Sequence, residues 1–427
     1  MKTDKFVVAG VIFGFVVSII ALLFMASCSN SSIESCLLEK EYLMPDFYWH
    51  TNTIKYVAYN GILPYQVLGY EDGGYDGSSL NGGEEDLKNV IHGPLYYYLG
   101  AGIWRLSTNL GISQVLTLHI FSIILTLMAN ILFFLLIKKN SGLIGNKKQI
   151  TIISTLLFIF FPLNLFLSLA IHTHAIFLVF LTLSFYLYSN LLEKRNLKNS
   201  LLLGISLGLG LLSSSMMLPL FLAIIIYTLF NYFFRKDNKI KFLFTSIISG
   251  GIIGSVTLIR NYILYNDAIW GGIVAPLHER SFFTLIRVLK TFFSGIYGGY
   301  SLIAPLIFII SVLIILISIY GLFIWILKER EKRFSNPNVI NLVFLTSLIT
   351  LILSFHTICN IQIMLKDFMC FGDIIHGRYL LPIVPGIAIS FSIGLTKIMK
   401  KYDYIKYLLI LAVCFLYSLD FIYALIN

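Results

Sequence analysis

The stretch FVVAGVIFGFVVSIIALLFMA, residues 6 to 26, contains no charged side chain and a single hydroxyl, Ser18. At 1.5 Å per residue a helix of this length covers about 31 Å, the thickness of a bilayer's hydrocarbon core. Its valines and isoleucines would suit a strand in water. In lipid, however, every backbone N–H and C=O has to be satisfied within the segment, and that selects a helix. Lys2 and Lys5 precede the run, so its start is expected on the cytoplasmic side.

Further apolar runs follow at 114–137, 150–170, 174–191, 199–213, 216–234, 241–259, 301–327, 339–358, 379–398 and 404–425. The chain is 58% hydrophobic and 12% charged, whereas soluble domains are about one-quarter charged. The expected fold class is all-α. It is a polytopic transmembrane helix bundle of about eleven spans, one integral membrane domain over residues 1–427 with a large helical first extracytoplasmic loop.

The net charge of +10 would suit nucleic acid, but the basic residues cluster in short connectors: Lys138, Lys139, Lys147 and Lys148; Lys194, Arg195 and Lys198; Arg235, Lys236, Lys239 and Lys241; Lys328, Arg330, Lys332 and Arg333; Lys397, Lys400 and Lys401. This is the positive-inside pattern of a cell-membrane protein with a cytoplasmic N-terminus. Membrane lipids are expected partners and nucleic acid is not. Three longer segments, 27–113, 260–300 and 359–378, then face outward, and function is expected there. Cys28, Cys36, Cys359 and Cys370 also fall outside, in an environment that permits disulfides; whether they are bridged or free stays open. MASC (25–28) loosely resembles a lipoprotein processing site, but Met25 stands where Leu is usual and the run is long, so a retained first span is expected.

The first outer loop opens with PDFYWH (45–50) and closes with HGPLYYYL (92–99). Residues 46–60 read as a helix stopped by Gly61 and Pro64. Residues 94–107, rich in tyrosine and carrying Trp104 and Arg105, read as an interfacial helix. Between them, YEDGGYDGSSLNGGEED (70–86) reads as a solvated loop. Asp72, Asp76 and Gly77 match part of a calcium loop, but Gly83 stands where the bidentate Glu belongs. Asp46, at the head of a helix beyond the first span, is either an N-cap or a catalytic acid.

All eight histidines, His50, His92, His119, His172, His174, His278, His356 and His376, fall in outer loops or outer halves of spans. Imidazole is the commonest metal ligand and the usual acid or base near neutral pH. His172-x-His174 could form the nucleus of a zinc site, although a lone H-x-H is weak. No metal ligand set is assigned and no cofactor is expected; a divalent metal stays open. RNYILYND (260–267) and HGRYLLP (376–382) each set an arginine beside a tyrosine at the outer interface. There a guanidinium can hold a lipid phosphate while the tail stays in the bilayer, or merely snorkel to headgroups.

In order along the chain, PDFYWHTNTIKYVAYNGILP (45–64), HGPLYYYLGAGIWRL (92–106), RNYILYND and HGRYLLP resemble motifs of the C-type membrane glycosyltransferase superfamily. Its members include dolichyl-phosphate-mannose mannosyltransferases and aminoarabinose transferases. TFFSGIYGGY (291–300) is similar to a further outer-loop segment of that superfamily. The resemblance implies transfer of a sugar from a polyprenyl-phosphate donor to a lipid, glycan or protein acceptor on the outer face, and a single displacement by that route predicts inversion. It also implies Asp46 as the catalytic residue, a base or an acceptor-orienting group, and His50, His92, Tyr96, Arg260, Tyr265, Asp267, His376, Arg378 and Tyr379 as substrate-binding residues. Phe47 stands where the family has a second acid, Gly93 where it has proline, and Asn266 where it has glycine.

The chemistry follows the same lines without the family name. An outer-face transferase has no access to cytoplasmic nucleotide sugars and needs a lipid carrier; an acceptor hydroxyl needs a base, and a departing phosphate needs fixed positive charge. The alternatives are a transporter or flippase of a lipid-linked saccharide, and a glycan polymerase or ligase. Transporters show inverted repeats and midplane ionisable groups, but no repeat is visible here and Asp420 is the one acid inside a span.

Overall fold

A computed structural model of the chain describes residues 2–26, 47–61, 63, 93–144, 146–235, 240–265, 304–331, 338–358 and 377–426. The described elements are all helical. They are α1 (Lys2–Ala26), α2 (Phe47–Asn60), α3 (Leu95–Leu110), α4 (Gln114–Ile144), α5 (Lys147–Ile159), α6 (Pro162–Leu169), α7 (Thr173–Glu193), α8 (Leu197–Ser213), α9 (Leu218–Arg235), α10 (Lys241–Tyr265), α11 (Ala304–Glu331), α12 (Val339–Ile358), α13 (Val384–Ile398) and α14 (Asp403–Ile426), with short 3-10 turns at Ser215–Met217 and Gly377–Ile383.

Among the described residues eight helices are long and apolar enough to cross a membrane. With them stand the bent pair α5–α6 and two shorter apolar helices, Leu197–Ser213 and Val339–Leu353. Together these account for all the apolar runs read from the sequence, and the chain is a multi-pass membrane protein. Helix after helix reverses direction. The basic connectors therefore gather at one end of the bundle, the connector end, while α2, α3 and the α6–α7 junction gather at the other, the loop end.

Two features of the sequence shape the packing. Small residues let helices approach closely: a Cβ on Gly204 would come within 2.8 Å of the Ser246 carbonyl, and one on Gly250 within 3.0 Å of the Gly204 carbonyl. This small-residue seam joins α8 to α10, the most extensive helix pair in the structure. Buried hydroxyls then bridge helices, as in Ser154–Ser392 (2.8 Å), Ser18–Ser168 (2.9 Å), Ser184–Ser206 (2.8 Å) and Ser311–Tyr417 (3.1 Å). Such bonds each contribute roughly 0.6 kcal/mol between membrane helices.

The run 150–170, expected as one span, is broken. Pro162 has no N–H for the ladder, and α5 and α6 meet at 50°. Asn164 compensates in part by donating to the Phe158 carbonyl at 2.6 Å.

At the loop end α2 stops at Gly61, whose φ of 74° is the left-handed turn that glycine makes without strain. α2 packs on α3 through Ile54, which lies against Gly100, and Arg105 donates to the Ala58 carbonyl in the last turn of α2. α3 is two-sided. Tyr96, Tyr97, Gly100, Ala101, Trp104 and Ser107 are buried, while Leu99, Leu106 and Leu110 are exposed. This is the arrangement expected of an interfacial helix, and α4 follows after only three residues.

Candidate active site

The loop end holds four buried histidines, three of them in contact. His50 lies in the first turn of α2, four residues after Asp46 in sequence. Its Nδ1 is 2.8 Å from the Tyr97 hydroxyl, and its ring centroid is 4.2 Å from that of His172. The His172 ring lies 4.0 Å from His174 in turn, so three imidazoles form a column across the α2–α7 contact. His119 on α4 donates its Nδ1–H to the Leu169 carbonyl at the end of α6, at 2.6 Å. All four side chains are at most 4% exposed.

Local structure explains this placement. α6 ends at Leu169, and His172 adopts an extended backbone as N-cap of α7 (φ −148°, ψ 145°). Its Nδ1 accepts the backbone N–H of His174 at 3.1 Å, the role usually filled by Ser, Thr, Asn or Asp. A backbone N–H is a donor only, so His172 Nδ1 carries no proton and the ring's proton resides on Nε2. By the same reasoning the Leu169 carbonyl fixes the proton of His119 on Nδ1.

The tyrosines complete the wall. Tyr96 is fully buried, stacked on Phe121 (6.3 Å) and edge-on to His50 (6.5 Å). Burial pushes its phenol well above the usual 10.0. The nearby Ser122 hydroxyl and His172 backbone offset this in part without completing a well-formed hydrogen bond. Tyr96 is therefore neutral at physiological pH and packs as an uncharged ring. Gly93, in the segment leading into α3, meets the end of α8: a Cβ there would lie 1.9 Å from the Leu212 carbonyl oxygen. The departure from the proline of the resembled motif thus has a steric reason.

Of the residues singled out from the sequence, His50 and Tyr96 are brought together here. Arg260 lies on the last turns of α10, half-buried, where the apolar span ends. Tyr265, Arg378 and Tyr379 are described in backbone only, at the end of α10 and in the turn Gly377–Ile383. Asp46, His92, Asp267 and His376 lie outside the described residues, as do the loop 70–86 and Cys28, Cys36, Cys359 and Cys370. The sequence-based site omitted His119, His172, His174 and Tyr97. The signal that could have found them was the one-sidedness of the histidines together with His172-x-His174.

Comparison with known proteins bears on the family and the fold. A sequence model of the family described as dolichyl-phosphate-mannose-protein mannosyltransferase matches residues 92–258, from the start of the α3 segment into α10. No curated protein matches the chain in sequence. In fold, the chain is similar to the Archaeoglobus fulgidus oligosaccharyltransferase. The crystal structure of its complex with Zn and sulfate matches at 14% identity and TM-score 0.52, covering 96% of this chain and 53% of that one. The apo form matches at 13% identity and TM-score 0.53, covering 98% and 55%. The chain thus spans about half the length of these structures. The resemblance read from the motifs stands: this chain is similar in sequence and in fold to membrane glycosyltransferases of the C type.

The zinc in one of those structures prompts a test of fit. Among the described residues no group of three His, Cys, Asp or Glu is arranged to hold a metal ion. His172 is also in the wrong tautomer: a cation on Nε2 needs a lone pair there, and the displaced proton would sit on Nδ1 facing the His174 N–H.

Proposed function

We propose that the protein is a membrane glycosyltransferase that takes a sugar from a polyprenyl-phosphate donor and passes it to an acceptor at the loop end, on the outer face of the cell membrane. The observation that carries this reading is the family match over residues 92–258, because those residues supply Tyr96, Tyr97, His119, His172 and His174 of the wall that His50 completes. The basic connectors support the orientation.

In this reading Asp46 takes the proton of the acceptor hydroxyl as its oxygen bonds to the anomeric carbon. The bond from that carbon to the carrier phosphate breaks, and the configuration inverts. Arg260 and Arg378 offset the charge that develops on the departing phosphate. Dry, prearranged charge is worth more at such a step than charge in water.

Membranes holding the protein and a radiolabelled polyprenyl-phosphate sugar should release the label from the lipid. Asp46→Asn should slow that release by about 10²-fold or more, the scale of a lost general base. Release by the variant at the parental rate would sink the assignment of Asp46. The fold shared with an oligosaccharyltransferase makes a lipid-linked oligosaccharide the second donor to assay.

A further inference from the structure

We propose that the corner of the connector end where α1, α5 and α14 begin and α13 ends is a docking surface for an anionic phospholipid of the adjoining leaflet. The surface lies at the opposite end of the bundle from the candidate active site, and it does not depend on the glycosyltransferase reading.

Side-chain contacts assemble the corner from separate segments. Ser154 and Ser392 bond at 2.8 Å between the antiparallel α5 and α13, which sets Lys147 and Lys148 level with the last turn of α13 and its Lys397. Lys406 of α14 is buried and reaches Gln149 of α5 at 3.1 Å. Tyr407 beside it meets Phe6 of α1 with ring centroids 6.1 Å apart. Lys5, Lys147, Lys148, Lys397, Lys400 and Lys401 are thereby gathered, and all six are exposed.

Their charge is not balanced by the protein. Asp403 heads α14, and its carboxylate is engaged by Lys406 at 2.9 Å. Among the described residues none of the six exposed lysines forms an ion pair. In sequence the segments 2–5, 147–148 and 397–406 hold eight lysines against two acids, Asp4 and Asp403. The connector 328–333, by contrast, sets Glu329 and Glu331 among four cations, and Lys139 pairs with Glu193. The positive-inside pattern explains cations at this end, but not their concentration in one corner.

The neighbouring apolar surface identifies the partner. Phe6, Ile398, Ile405 and Leu408 are exposed beside the lysines, with Tyr402 and Tyr404 among them. A soluble polyanion would leave that surface in water. A phospholipid covers both parts, its phosphate meeting the lysines and its acyl chains the apolar flank, while tyrosines suit the headgroup level. Clusters of four to eight Lys or Arg at a membrane surface are of the size that recognises anionic lipid.

The full chain, purified in a non-ionic detergent, is titrated with phosphatidylglycerol or with phosphatidylcholine of the same acyl length, and bound lipid is counted by native mass spectrometry. Glycerol 3-phosphate serves as the soluble headgroup. One variant carries Lys147→Gln, Lys148→Gln and Lys400→Gln. A control removes as much charge elsewhere at the connector end, through Lys194→Gln, Lys198→Gln and Lys241→Gln, and a third variant carries Arg at the first three positions.

The parent should bind phosphatidylglycerol at least about tenfold more tightly than phosphatidylcholine, and glycerol 3-phosphate should not displace it. A lysine near an anionic surface contributes about fivefold, so the corner variant should lose the preference, while the control and the Arg variant keep it. An unselective parent, displacement by glycerol 3-phosphate, parental binding by the corner variant, or equal loss in the control would each overturn the proposal. Should the corner variant not be recovered folded, selectivity in the parent and its survival in the control still decide.

Discussion

The two ends of the bundle bury polar groups in different ways. At the connector end buried and half-buried cations and amides are matched by side chains, some of them at the surface. Lys406, 1% exposed, donates to Gln149 at 3.1 Å and to Asp403 at 2.9 Å. Glu329 accepts from Asn338 (3.1 Å) and Asn341 (3.2 Å), and Asn341 accepts from Trp325 (2.8 Å). Lys139 pairs with Glu193 at 2.9 Å. These are charges matched by opposite charge or amide, the pattern of anchors between helices. At the loop end the described buried groups are imidazoles and phenols aligned by backbone: a carbonyl holds His119 and an amide holds His172. The anchors join side chain to side chain, whereas these imidazoles are oriented through one ring nitrogen by the backbone of a neighbouring segment.

That difference can be broken from either side. The largest effect is expected at the joint itself. Gly93→Pro drives a ring into the Leu212 carbonyl, and little folded protein should survive size-exclusion chromatography, a loss of about 3 kcal/mol or more. Normal yield would mean that the α3 segment can lift away from α8. Lys406→Ala should lower thermal stability by about 2 kcal/mol by stranding Gln149 and unpacking a buried stem. Binding of polyprenyl phosphate by the surviving protein should be unchanged; a defect there would show that the connector end is coupled to the site. The smallest change in stability is expected for Tyr97→Phe, about 1 kcal/mol for one hydrogen bond to His50. Because that bond fixes the His50 ring, the variant should nevertheless slow sugar release more than Lys406→Ala does. The reverse ranking would abolish the distinction between the ends.

What was legible in the sequence follows from which interactions are local. The spans could be read because lipid forces each segment to satisfy its own backbone, so composition over about 20 residues decides. The stop of α2 could be read from Gly61 because the left-handed turn is a single-residue property. Pro162 was visible too, but a proline in a span does not by itself disclose a 50° bend. The histidine column was hidden for a different reason. His50 lies far along the chain from His172 and His174, and their meeting depends on how α2 packs beside the start of α7. The pattern held only the hint that every histidine favours one end. Gly93 was legible as a departure from a motif, but its reason, the Leu212 carbonyl, belongs to a neighbour more than a hundred residues away.

The break between α5 and α6 gives the surrounding membrane a hold on the site. A bent span covers less of the bilayer than a straight one of the same length, and this bend leads directly into the turn that seats His172 and receives His119. A thicker bilayer favours straightening, at fractions of a kcal/mol per Å of mismatch, and the resulting pull acts on that turn before it reaches the anchored connector end. Sugar release in nanodiscs of increasing acyl length is therefore expected to fall while the melting temperature stays nearly level. A flat response would mean that the Asn164 bond has frozen the bend. On this view the thickness of the membrane acts on the protein much as an effector would.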